Sequence, residues 1–163
     1  MNVWCGALGN KLIDPFFFDN NLTGNAYEIY LRNELPDLLE DIPLMIRSQM
    51  YFQHDGAPPH YNQHVRDYLN ESFPNRWLGH GGPVAWPPRL PDLTTLDYYL
   101  WAHIKTLVYE TKVDSRAAQR DSIFAAAEQI RNHRNNIPPG TPCVYIQGVP
   151  GGMWQTSGGC SLH

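Results

Sequence analysis

Two aspartates, one at a strand end and one at a helix start, are flanked as ligands of a divalent cation would be. Asp55 closes the apolar run Met50-Tyr51-Phe52-Gln53, a short strand candidate, and Gly56 with Pro58-Pro59 turns the chain towards a helix starting near His60. Asp97 comes 41 intervening residues later. It stands at the start of a stretch in which Leu96, Leu100, Ile104, Leu107 and Val108 recur at helical spacing. Hard carboxylate oxygens converging from two such elements suit magnesium or manganese, and a pair of those ions can clamp the attacking and leaving oxygens of a phosphodiester. Asp92 competes with Asp97 for the second place. The bland readings are a turn aspartate capping the helix for Asp55, and for Asp97 a helix-start carboxylate favoured by the macrodipole.

Other side chains carry weaker chemistry. His60 and His64 are one helical turn apart and His54 is near, a spacing that invites zinc, yet no H-E-x-x-H pattern and no neighbouring cysteine supports it. Histidines facing solvent or packing a helix are the plainer reading. Trp86, in a loop, is the aromatic residue best placed to stack on a base, whereas Tyr98 and Trp101 read as core. Arg116, Arg120, Arg131 and Arg134 read as a solvated helix face.

The elements that must position these groups follow from pattern. Val3-Trp4-Cys5 and Leu12-Ile13, joined around Gly9-Asn10, predict a hairpin. Asn25 and Glu28 form a capping pair for a helix over about 26–35, ended or kinked by Pro36, with a shorter helical segment interrupted by Pro43 before the strand at Asp55. Val65, Tyr68 and Leu69 predict a helix over 61–73, and Trp77-Leu78 a short strand. Residues 79–91 hold three glycines and four prolines and are expected to be a loop. A helix over about 95–109 follows. A last helix, capped by Asp114 or Ser115, presents Ile123, Ala126, Ala127 and Ile130 on one face. The Gly- and Pro-rich residues 138–163 are expected to be a disordered tail, which leaves 1–137 as the folded domain.

Composition sets the outer bounds. A chain of 163 residues with 42% apolar content can bury a core. Its net charge of −4 argues against a free-standing nucleic-acid binder, but the charge is uneven: −5 over residues 1–60, −1 over 61–102 and +2 over 103–163. Any DNA backbone belongs against the later helices. Three cysteines in no metal or disulfide spacing, and neither a secretory leader nor a membrane span, predict a soluble intracellular protein.

Several segments in fixed order carry a resemblance: Val3-Trp4-Cys5-Gly6, Pro15-Phe16-Phe17-Phe18-Asp19, Leu22-Thr23-Gly24, Asn33-Glu34-Leu35-Pro36, Gln53-His54-Asp55-Gly56-Ala57-Pro58-Pro59-His60 and Pro91-Asp92-Leu93. Together they resemble the catalytic domain of mariner-like DDE transposases over roughly residues 2–137. Leu90 and Thr95 depart from the pattern around the third acidic position. The resemblance implies an RNase H-like α/β fold, a mixed sheet flanked by helices, and a nuclear enzyme that cleaves and joins DNA with Mg2+ or Mn2+. Asp55 and Asp97 match its second and third catalytic, metal-binding carboxylates. Trp86, Arg89, His60 and Lys105 are the expected nucleic-acid contacts, with transposon-end DNA as partner.

The family's first carboxylate lies on a central strand upstream of the hairpin, and no residue here matches it. The expectation is therefore a sheet lacking its first, central strand, whose gap only direct pairing of the strand before Asp55 with the hairpin could close, and a domain without catalytic activity. An aggregation-prone or homodimeric chain is expected from the sheet edges that this missing strand would leave. A non-catalytic nucleic-acid-binding or protein-interaction fragment, or a functionless element remnant, is the alternative.

Overall fold

The computed structural model describes residues 2–8, 11–85, 100–110, 115–132 and 143–149; the side chains of Ala85 and of 143–149 are outside that description. In chain order the elements are β1 (Asn2–Leu8), β2 (Lys11–Phe18), α1 (Gly24–Asn33), α2 (Leu35–Leu38), α3 (Leu44–Gln49), β3 (Tyr51–Gln53), α4 (Gln63–Ser72), β4 (Trp77–Gly79), β5 (Val84–Ala85), α5 (Ala102–Tyr109), α6 (Arg116–Asn132) and β6 (Cys143–Val149).

Alternation in β1 builds both faces of the sheet. Val3, Cys5 and Ala7 enter one core with Phe17, Ile104, Val108, Ile123, Ala126, Ala127 and Ile130, under α5 and α6. Trp4 and Leu8 enter the other with Tyr30, Leu31, Phe52, Val65, Leu69 and Trp77, under α1 and α4. Every residue of β1 is buried, as a strand covered on both faces must be. Pro15 is accommodated in β2 because β2 is the edge of the sheet, where a missing ladder donor costs little.

The strand order is β2-β1-β6-β3-β4-β5. β6 runs antiparallel to β1, from Val3↔Val149 to Leu8↔Val144, and parallel to β3, with Tyr51↔Cys143 and Gln53↔Tyr145. This corrects two expectations. Residues 143–149 are a central strand within the stretch expected to be disordered, and the place between β1 and β3, expected to lack a strand, is occupied by β6. The reason is backbone hydrogen bonding: β1 and β3 are buried edges unless something lies between them, and a β-branched, aromatic run such as Cys143-Val144-Tyr145-Ile146 can fill that place. A domain boundary at residue 137 would cut this strand away.

Smaller differences have local causes. Thr23, not Asn25, caps α1, its hydroxyl accepting from the Ala26 N–H at 3.2 Å, while Glu28 pairs with Arg32 one turn on. α4 starts at Gln63, after His60, because Asn62 provides the cap through the His64 N–H at 2.9 Å. Ser115 caps α6 through the Ala118 N–H at 3.1 Å. Within the expected loop, Val84–Ala85 pairs in parallel with Leu78 and Gly79 as a short edge strand.

Candidate active site

Asp55 lies just beyond the carboxyl end of β3, whose parallel partner β4 fixes the backbone there: the Phe52 N–H donates to Arg76 O at 2.9 Å and the His54 N–H to Leu78 O at 3.1 Å. Its Oδ1 accepts from the Ala57 N–H at 3.0 Å, closing the turn locally, and from His60 Nδ1 at 2.6 Å. Asp55 is only 7% exposed and His60 is fully buried. The carboxylate is thus held by a turn and a ring at once, which restricts it to one orientation.

Around this pair the rings form a layered cluster. His54 stacks on His60 at 5.1 Å and nearly parallel, Tyr27 packs on His60 at 4.6 Å, and Trp77 meets His54 edge-on at 5.5 Å. Gly79 makes the packing possible, since a Cβ there would sit 2.4 Å from His54 Cδ2. Burial, together with neighbouring His60, pushes the His54 imidazole well below its ordinary range and keeps it neutral, against a smaller opposing pull from Asp55. Burial, reinforced by the nearby Asp55 charge, raises the Tyr27 phenol, so its proton stays on. His54 Nδ1 and His60 Nε2 are enclosed without a hydrogen-bond partner.

Of the residues singled out from sequence, the structure describes some and not others. Asp97, the competing Asp92, Trp86 and Arg89 lie outside the described residues, as do Tyr98 and Arg134. Trp101 is buried in the core under α5 and α6, as expected. Lys105 is on α5, partly exposed. His60 cannot serve as a DNA contact, because the hydrogen bond to Asp55 draws its ring fully inside. His64 is exposed on α4, one element away from the buried His54 and His60, so the three do not converge. Arg131 pairs with Asp14, and Arg120 lies over the Phe17 ring at 4.9 Å, which gives two of the expected solvated arginines specific partners.

A pair of magnesium ions needs several convergent oxygens. Among the described residues no group of three or more His, Cys, Asp and Glu side chains could hold a metal ion. Asp55 stands as the described carboxylate of the expected set, with Oδ1 already engaged twice, and by themselves the described donors do not fit a two-metal site. Among the described residues, no helix is long and apolar enough to cross a membrane.

No family model matches the chain, and no curated protein matches it. Among solved structures, the catalytic domain of Mos1 mariner transposase superposes with a TM-score of 0.57, covering 82% of this chain and 71% of that one at 19% identity. The chain has the fold of a mariner transposase catalytic domain. The resemblance read from the ordered motifs is therefore matched by tertiary structure.

One grouping was not anticipated from sequence. Tyr61, Arg66 and His80, drawn from the turn after His60, from α4 and from the residue after β4, form a stack beside the Asp55 turn in which both rings are exposed and Arg66 is half-buried. Tyr61 and His80 are 19 positions apart. No local periodicity links them, and only the parallel β3–β4 pairing brings their segments together.

Proposed function

We propose that this chain is a transposase-derived nuclease domain that contacts DNA and has lost strand cleavage. The observation that carries this reading is the position of the segment Gln53–His60: within the fold of a mariner transposase catalytic domain, it sets Asp55 at the carboxyl end of a parallel strand. In its finer form the proposal makes the sheet RNase H-like, with β6 serving as the central strand between β1 and β3. The orientation of β6, antiparallel to β1 and parallel to β3, supports that assignment. Nuclear action on transposon-end DNA belongs to the same proposal, as does ancestral dependence on Mg2+ or Mn2+ through Asp55 and Asp97.

The residues of β6 account for the loss of cleavage. Its sequence, Cys143-Val144-Tyr145-Ile146-Gln147-Gly148-Val149, contains no acidic residue. The Gln147 backbone pairs with Cys5, and continuing the β3 register two residues past Gln53↔Tyr145 sets Gln147 level with Asp55. The sequence of β6 thus offers no carboxylate with which to hold a hard cation. The same observation favours the second reading, a non-catalytic nucleic-acid-binding fragment, over a working nuclease.

The test is plasmid nicking by the purified full chain with magnesium or manganese. No nicking is expected. Metal-dependent nicking that Asp55→Ala abolishes would overturn the loss of activity while supporting the ancestry.

A further inference from the structure

We propose that the stack of Arg66, Tyr61 and His80, with its two rings exposed, is a contact surface for the unpaired bases of single-stranded DNA; this rests on the DNA-contacting reading above. The Tyr61 and His80 ring centres are 4.0 Å apart at 27°, and the Arg66 guanidinium carbon lies 4.6 Å from the Tyr61 ring centre. Tyr61 is 42% exposed and His80 is exposed. Neither ring belongs to either core, so packing the interior does not account for them.

The stack is assembled in advance. Gly81 adopts φ +80°, and a Cβ there would fall 3.1 Å from Tyr61 Cε2 and 3.2 Å from Arg66 Nη1, so the loop after β4 closes directly against the two side chains. Arg66 is steadied by Gln63, and its Nε is enclosed with no hydrogen-bond partner. A Cβ on Gly56 would stand 3.9 Å from that of His80, which puts the stack next to the residue following Asp55. Holding three side chains from three segments in one pile removes part of the ordering cost that a ligand would otherwise meet.

Charge and shape together choose the ligand. The chain carries −4 overall and the stack contributes one permanent cation, so attraction to a phosphate backbone is a weak source of affinity. Flat π surfaces bind bases by stacking, which depends little on net charge but needs a base face that duplex pairing hides. A cation next to the rings adds a phosphate contact and a cation–π contribution without reading sequence. Single-stranded DNA lying beside the Asp55 turn satisfies all three properties.

The experiment is fluorescence anisotropy of the full chain with a labelled single-stranded oligonucleotide and with its duplex, at low and at physiological salt. The single strand is expected to bind more tightly. His80→Ala should weaken it by about 5- to 150-fold, the equivalent of one lost base stack, and Tyr61→Ala should weaken it as well by removing the ring on which His80 rests. His80→Phe, which keeps a flat ring, should retain binding, and Tyr51→Ala at the other end of β3 should leave it unchanged. Thermal melts of His80→Ala matching the parent keep the result from being a folding defect. Duplex binding as tight as single-strand binding, or single-strand binding unaffected by both alanine variants, would overturn this inference and leave the DNA-contacting reading standing. Absence of binding to either DNA form would overturn both.

Discussion

Ending the chain after Pro142 removes β6, whereas ending it after Pro150 keeps β6 and removes only residues 151–163. The two truncations should differ sharply. β6 is paired with β1 at six positions and with β3 at three, and its loss turns both neighbours into edges inside a sheet covered on both faces. All of β1 is buried, as are Phe52 and Gln53 of β3, so many of the freed N–H and C=O groups would have no route to water. If only four of them stay buried and unmet, at about 1–3 kcal/mol each the penalty is about 4–12 kcal/mol. A domain of this size has about 5–15 kcal/mol in total. The shorter chain should therefore elute as aggregate or strand-exchanged oligomer on size-exclusion chromatography and lose its cooperative melt by circular dichroism. The longer one should melt within a few degrees of the full chain, since about 1 kcal/mol corresponds to roughly 2–4 °C at this length. A monodisperse monomer ending at Pro142 with an unshifted melt would refute the reasoning, because it would mean that β1 and β3 can pair without an intervening strand.

Two further perturbations test the ring cluster around Asp55. His54 is kept neutral by burial, so its folded pKa lies below the ordinary 6.5 and the unfolded chain binds the extra proton first; stability should fall as pH drops below about 6.5, with a limiting slope of about 1.4 kcal/mol per pH unit for this group. Urea melts of the parent and of His54→Gln should diverge in that slope between about pH 6.5 and 5, and parallel curves would show that His54 protonates without cost. Gly79→Ala would bring a methyl to 2.4 Å from His54 Cδ2, in a ring already packed against His60 and Trp77. A loss of about 1–3 kcal/mol is expected from such overpacking, and a melt equal to the parent's would mean that the imidazole moves aside freely.

What the sequence determined by itself was whatever depends on local pattern. The apolar runs Val3-Trp4-Cys5 and Leu12-Ile13, turned around Gly9-Asn10, specified a hairpin, and the helical spacing of Ile123, Ala126, Ala127 and Ile130 specified the buried face of α6. The run from Gln53 to His60 placed a carboxylate at a strand end, and the ordered motifs around it pointed to the fold that the solved Mos1 domain shares. The tertiary structure decided what depends on partners distant in the chain. Cys143–Val149 carries a strand signal in its own residues, but glycines and prolines on either side outweighed it, and only the unpaired backbones of β1 and β3 give that segment a place. His60 looked available to DNA until Asp55 and Tyr27 enclosed it. Tyr61 and His80 came together because parallel pairing of β3 with β4 aligns the segments that come after each strand, and a contact made through sheet register leaves no periodicity in the sequence from which to read it.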